Sequence, residues 1–238
     1  MMLMSNYVMS DLHGCYDEYI SMIEKIRLSD SDMLYILGDV MDRGPKPIKI
    51  LLDAMKRQNV VLLCGNHEVM AIECLRDWGK EITEETISQI NNDKIEKLEN
   101  WLENGGQTTI SEFNKCNSKE KEAVLDYLYN SELFEELEIN GKSFLLVHAG
   151  LDNFSPERDI YDYDLHELIW ARPNFSVPYF EDKIVILGHT PTIELNNGYI
   201  YNKNNLIDID CGISYSGGRL ACLRLEDMKE FYVEKGLK

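Results

Sequence analysis

One layout, repeated five times, constrains this chain more than anything else in it. An apolar run of strand length stops, and polar residues follow at once. The five stretches are YVMSDLHG (Asp11, His13), YILGDVMDRG (Asp39, Asp42, Arg43), VVLLCGNHE (Asn66, His67, Glu68), FLLVHAG (His148) and IVILGHT (His189). Between the first three, apolar residues at 20, 23 and 26 have helical spacing, and Pro47 opens a second helical stretch over 47–57. Strands at 6–10, 33–37 and 60–64 alternating with helices predict an α/β fold. In such sheets ligands bind beyond the carboxyl ends of the strands, so five ends of this kind predict one shared site.

From 69 to 132 the sequence turns helical and acidic, with an apolar face of Ile87, Ile90, Ile95, Leu98, Trp101 and Leu102 interrupted at Asn91–Asn92–Asp93. Strands are expected again at 134–139, 143–147, 184–187, 199–201, 206–209, 219–225 and 229–233. There is no repeat and no Pro/Ser linker, so one domain over 1–238 with a helical insertion at 69–132 is the expected organisation. Gly141–Lys142–Ser143 imitates the end of a P-loop, but the required first glycine falls at Glu136 and no helix pattern follows. Asn140–Gly141 between two strands is instead a two-residue hairpin turn.

The formal charge of −18 argues against a surface that tracks nucleic acid, which needs a basic stripe. The six cysteines contain no C-x-x-C pair, which fits a reducing compartment without a disulfide framework. No basic residue precedes Lys25 and no apolar run has the length of a membrane span, so a cytoplasmic protein without a membrane partner is expected.

Burying carboxylates beside a core strand is costly unless each has a partner, a metal ion or a catalytic task. Four of the five histidines (13, 67, 148 and 189) lie at the strand ends; His166, in DLHELIW, fits a surface helix. Imidazoles, carboxylates and an amide oxygen form a mixed N/O set suited to borderline or hard divalent ions. Two such ions ~3.5–4 Å apart make the clamp used for in-line displacement at phosphorus. A carboxylate bridging them holds that separation, and Asp39 is placed for it.

These blocks resemble the signature blocks of the phosphoprotein phosphatase family within the calcineurin-like metallophosphoesterases. Asp11-Leu-His13-Gly, Gly38-Asp39-Val-Met-Asp42-Arg43-Gly44 and Gly65-Asn66-His67-Glu68 are similar to the first three blocks, His148-Ala-Gly and Gly188-His189-Thr to the later histidine blocks, and Trp170-Ala-Arg172 to the arginine block between them. WLENGGQTTI and IDCGISYSGGRLACLRL are similar to the bacterial and phage branch. The resemblance implies an α/β/β/α β-sandwich flanked by helices. It implies that Asp11 and His13 bind one metal, that Asn66, His148 and His189 bind a second, and that Asp39 bridges both. His67 is then the general acid oriented by Asp42, and Arg43 and Arg172 hold phosphate oxygens. Mn²⁺ is the expected ion, with Fe or Zn as alternatives.

The expected activity is hydrolysis of phosphomonoesters as a metal-dependent serine/threonine protein phosphatase, with a phosphoprotein or phosphopeptide as partner. The alternative is a nucleotide hydrolase resembling symmetrical dinucleoside tetraphosphatase. In that group the position of Asp42 commonly lacks an aspartate and the third block usually ends in Asp, so Asp42 and Glu68 favour the protein phosphatase.

Overall fold

The computed structural model describes residues 4–76 and 91–236. Ile87 and Ile90 therefore lie outside the described residues. Two five-stranded mixed sheets form the centre. In the first, β1 (Asn6–Met9), β2 (Met33–Ile36) and β3 (Val60–Leu62) run parallel, and β9 (Arg219–Arg224) and β10 (Lys229–Glu234) continue the sheet antiparallel beyond β1. In the second, β5 (Lys142–Val147), β6 (Lys183–Leu187) and β8 (Leu206–Asp208) are parallel. Antiparallel β4 (Phe134–Ile139) and β7 (Tyr201–Lys203) form its edges.

The period of two along each strand sorts side chains into layers. Val8, Tyr35, Leu37, Phe144, Leu146, Ile186 and Ile207 meet between the sheets. Their neighbours Tyr7, Met9, Leu34 and Ile36 face outwards onto α1 (Tyr16–Ile26), α2 (Pro47–Ala54) and α3 (Asn66–Leu75). Leu145, Val147, Val185 and Leu187 face the opposite way, onto α7 (Leu165–Ile169). Because both faces of these strands are covered, they read as unbroken apolar runs. The expected sandwich flanked by helices is the observed architecture.

Local chemistry sets the element ends. Pro47 occupies the first turn of α2, where its missing N–H is not needed. Asn140 and Gly141 both have positive φ (52° and 75°) between the paired residues Ile139 and Lys142, which is the expected hairpin turn. The strand expected at 199–201 begins two residues later, because Tyr199 still donates to the Asn196 carbonyl (3.1 Å) in the turn after the short α8 (Ile193–Asn196).

Between α3 and β4 the described chain holds α4 (Asn92–Glu103), α5 (Gln107–Phe113) and α6 (Ser118–Tyr129). The Asn91–Asn92–Asp93 break is a helix start, since the Asn91 side chain accepts from Lys94 N at 2.9 Å. Trp101, Phe113, Val124 and Leu128 are buried in the helix-side core, whereas Ile95 is exposed rather than part of the expected apolar face. All six cysteines are free thiols. Among the described residues no helix is long and apolar enough to cross a membrane.

Candidate metal centre

The five polar stretches meet beyond the carboxyl ends of β1, β2, β3, β5 and β6. Backbone hydrogen bonds sew the loops together. Asp11 N donates to Gly38 O (3.2 Å), His13 N to Asp39 O (2.8 Å), Gly14 N to Val40 O (2.9 Å) and Gly188 N to His148 O (2.7 Å). Asp11, His13, Asp39, Asp42, Arg43 and His189 all adopt the left-handed region, with φ between 40° and 68°. That conformation costs a non-glycine residue roughly 1–3 kcal/mol and persists where its surroundings over-determine it. Two glycines permit the close approach. Gly38 has φ 85° and a Cβ there would lie 2.6 Å from Gly65 N; a Cβ on Gly65 would lie 2.3 Å from Asp39 Oδ1.

Asp11, His13, Asp39, Asn66, His148 and His189 are all buried. Two groups could each hold an ion: His13, Asp39 and His67, and Asp39, His148 and His189, with donor atoms in each group within 4.8 Å of one another. Asp39 belongs to both. Its Oδ2 lies 3.8 Å from His13 Nε2 and its Oδ1 lies 3.5 Å from His148 Nε2. These separations are long for hydrogen bonds, but donors each ~2.0–2.2 Å from a shared ion sit roughly this far apart.

The hydrogen-bond pattern fits cations as well. His13 Nδ1 donates to the Met41 carbonyl (2.9 Å) and His148 Nδ1 to the Leu37 carbonyl (2.6 Å). Each Nε2 is therefore left as an acceptor turned inwards. His148 Nε2 faces Asn66 Oδ1, another acceptor, at 3.1 Å, a pairing reconciled by a cation or by turning the amide. His189 Nε2 is buried without a hydrogen-bond partner. Burial, and next the charge of His67, holds His13 well below the usual histidine range, while burial and then Asp11 and Glu68 raise Asp39 well above the carboxylate range. Burial first and then His148 bring His189 down to about 2. Imidazole acceptors packed against clustered carboxylates make a donor set that a divalent ion would suit.

Beside this set lies a second unit. His67 Nδ1 donates to Asp42 Oδ2 (2.7 Å), and the fully buried Asp42 also accepts from Trp101 Nε1 at Oδ2 (2.8 Å) and from the Thr109 hydroxyl at Oδ1 (2.5 Å). The geometry is that of an oriented imidazole. Burial, and then the Arg43 and His148 charges, bring His67 down to about 2, and its Nε2 accepts from Arg43 Nη2 (3.1 Å). Burial likewise lifts Asp42 to about 7, against the hydrogen bonds from Thr109 and Trp101.

Arg43 and Arg172 are exposed above the buried donors. Arg43 Nη1 donates to His13 Nε2 (2.8 Å) and to the Tyr215 hydroxyl (3.2 Å). Arg172 Nη1 donates to the Thr190 hydroxyl (2.7 Å) and the His189 carbonyl (3.2 Å). His166 is exposed on α7, as expected of a surface helix.

Glu68 is the helix-start carboxylate expected of it, and two further features, at Asp42 and at the end of β8, were not legible in the sequence. Glu68 accepts from Asp39 N (2.7 Å), Val40 N (2.9 Å) and Gly65 N (2.9 Å), so it locks the Asp39 loop onto the start of α3. Trp101 and Thr109 reach Asp42 from helices remote in sequence. Asp208 and Asp210, in the run IDID, are buried at a sixth strand end. Burial, and then Asp210 for the one and Asp11 for the other, raise both carboxyls. A carboxylate directly after an apolar run was the available signal, but no histidine accompanies it.

A protein of Buchnera aphidicola subsp. Baizongia pistaciae named symmetrical bis(5'-nucleosyl)-tetraphosphatase is 26% identical over 99% of this chain and 100% of its own length. The crystal structure of a candidate diadenosine tetraphosphatase superposes with a TM-score of 0.67 at 16% identity, covering 98% of this chain and 94% of that one. A Saccharomyces cerevisiae serine/threonine phosphatase superposes at 0.59 with 14% identity, covering 99% and 81%; at that identity the likeness is one of fold. The expectations of a protein-serine/threonine phosphatase acting on phosphomonoesters, and of a phosphoprotein or phosphopeptide partner, are corrected by the relatives that span the chain, which carry the tetraphosphatase name. The structure shows why Asp42 and Glu68 misled. Both are fully buried, one behind His67 and the other clamping backbone N–H groups, so they report loop geometry rather than substrate. The sequence profile of the calcineurin-like phosphoesterases matches residues 4–227, and the chain belongs to that family.

Proposed function

We propose that this protein hydrolyses the central anhydride of a dinucleoside tetraphosphate to two nucleoside diphosphates. The observation that carries the reading is the end-to-end similarity to a relative of that name. Water adds its oxygen to one central phosphorus, the bridging P–O bond breaks, and two nucleoside diphosphates and a proton result. Asp11, His13 and Asp39 would hold one divalent ion, and Asp39, Asn66, His148 and His189 the other; the mixed N/O donors suit Mn²⁺. Bound there, the ions supply an activated water at neutral pH and neutralise charge on the central phosphates.

The chain's own groups do the rest. Arg43 and Arg172, exposed at the mouth, take non-bridging phosphate oxygens with their planar guanidinium forks. Asp42 aims His67 so that Nε2 faces the mouth beside Arg43, the position from which the departing oxygen is assisted. His67 is the general acid for that oxygen, and this reaction asks little of it. The leaving group is a terminal phosphate with a second pKa of ~6, which departs as an anion at neutral pH. An alkoxide would require full protonation.

The test is to strip the protein of metal, restore Mn²⁺ and supply diadenosine tetraphosphate. ADP as the sole nucleotide product is expected. ATP with AMP, or turnover of an aryl phosphate without any nucleotide product, overturns the reading.

A further inference from the structure

Among the described residues, ten large hydrophobic side chains are exposed, and two of them touch the candidate centre. Trp170, 36% exposed, meets the His189 ring edge-on with centroids 5.6 Å apart. Tyr215, 43% exposed, accepts from Arg43 Nη1 and lies with its ring centroid 5.5 Å from the guanidinium carbon. They flank different halves. Trp170 borders the group of Asp39, His148 and His189, and lies two residues from Arg172. Tyr215 borders the group of His13, Asp39 and His67 through Arg43.

Neither ring is loosely held. The second contact of Trp170 is the near-parallel ring of His166, 6.3 Å away at 30°, and Tyr215 is tethered through its hydroxyl. Exposed aromatics fixed in this way are platforms on which a planar ring stacks with little ordering cost. We propose that Trp170 and Tyr215 are two base-stacking platforms, one on each side of the metal centre, that receive the two nucleoside bases of the substrate. The proposal rests on the tetraphosphatase reading for the identity of the ligand. A cut at the central anhydride gives the substrate two equal arms, each a diphosphate ending in a nucleoside. The structure offers one arm Arg43 with Tyr215 against it, and the other Arg172 and Trp170, both in contact with His189. The stack is tolerant of base identity, because every base has a π face, so specificity rests on arm length and on possession of a base.

The experiment uses the manganese-loaded enzyme and compares binding of ADP with binding of methyl diphosphate, which carries the same phosphates without nucleoside. The variants are Trp170→Ala, Tyr215→Ala, their combination, and the ring-preserving Trp170→Phe and Tyr215→Phe. The double alanine variant should lose about tenfold or more in ADP affinity, the scale of one base–aromatic stack, with a far smaller change for methyl diphosphate. Each single alanine variant should lose part of this, Trp170→Phe should bind as the parent does, and Tyr215→Phe, which keeps the ring without its tether, should retain most of the affinity. Retention by Tyr215→Phe separates stacking from the anchoring of Arg43, since that variant loses the hydroxyl and keeps the ring. Equal weakening of both ligands would mean that the rings only shape the arginine and metal sites, and would overturn the proposal; so would unchanged ADP affinity. If the parent releases no ADP from diadenosine tetraphosphate, the proposed function falls, whereas the ADP and methyl diphosphate comparison still reads the platforms by itself.

Discussion

Replacing Trp101 with Phe tests whether the helices between α3 and β4 act on the chemistry through Asp42. The Asp42 carboxylate has three side-chain donors: His67 and Trp101 on Oδ2, at 2.7 and 2.8 Å, and Thr109 on Oδ1 at 2.5 Å. The same helices also hold the loop backbone, since Arg43 N donates to the Gly105 carbonyl (3.1 Å). Trp101→Phe removes one charge-assisted bond worth about 1.5–3 kcal/mol and leaves a small cavity costing roughly 1 kcal/mol more. A loss of about 2.5–4 kcal/mol in a denaturant titration is therefore expected.

Turnover should separate this role from simple packing. With one donor gone, Asp42 aims His67 less firmly, and a loss of about 1.4 kcal/mol in the transition state would lower kcat tenfold. KM for diadenosine tetraphosphate should stay put, because Asp42 is buried and does not reach the mouth. Phe113→Leu, in the same helical segment and equally buried, should cost stability without a matching loss of kcat. A double-mutant cycle with Asp42→Asn should show coupling well above about 0.5 kcal/mol. Unchanged kcat in Trp101→Phe, or additivity with Asp42→Asn, would show that the indole only packs.

Four further outcomes follow from the same geometry. Chelation should abolish hydrolysis and added Mn²⁺ restore it, and Asp39→Asn should lower bound metal at both positions by elemental analysis; full activity from metal-free protein refutes the centre. Gly65→Ala places a Cβ 2.3 Å from Asp39 Oδ1, so bound metal should fall even where circular dichroism shows the fold retained. Arg172→Ala should weaken inhibition by inorganic phosphate about tenfold, the order of one charge-assisted bond, and unchanged inhibition would remove it from the clamp. Burial alone would raise the Asp32 carboxyl, but the Ser29 hydroxyl (2.7 Å), Ser29 N (2.9 Å) and Ser5 N (2.9 Å) donate to it and hold it below the usual range. A depressed folded value contributes stability above the unfolded pKa of ~3.9 that is lost as pH falls through the folded value. The gap between the parent and Asp32→Asn should therefore be full at pH 7 and close below about pH 4; a gap independent of pH would contradict this.

The strands and their polar ends were legible because the signal is local. An apolar run covered on both faces, stopped by Asp, Asn or His, needs no knowledge of what lies across the sheet. Trp101 was legible only as an apolar residue on a helix, since its bond to Asp42 spans 59 positions and depends on how α4 docks. Asp208 and Asp210 escaped because their strand end lacks the histidine that drew attention to the others. The assignment of substrate failed for a different reason. Asp42 and Glu68 look like site residues in sequence, yet both face inwards, so their identities constrain the loops and not the ligand. The charge of −18 argues against a groove that follows a polynucleotide, whereas a short polyphosphate needs only local positive charge, which two arginines and two bound ions would provide.

That distinction locates where discrimination between phosphate substrates has to reside. The buried donors, Asp11, His13, Asp39, Asn66, His148 and His189, see at most one phosphoryl group and its oxygens, and those look alike in an ester and in an anhydride. What differs is the leaving group and what hangs beyond it. On the proposed reading the leaving group is met by His67, and a departing phosphate asks less of a general acid than an alkoxide does. What hangs beyond is met at the mouth, where the exposed groups that touch the centre are Arg43 with Tyr215 and Arg172 with its neighbour Trp170. A protein phosphorylated on serine would present neither a second phosphate to the other arginine nor a base to either ring. A dinucleoside tetraphosphate presents both, on both sides. On the proposed reading, the family's shared centre would supply the reaction, and a few exposed side chains of this chain its choice of substrate.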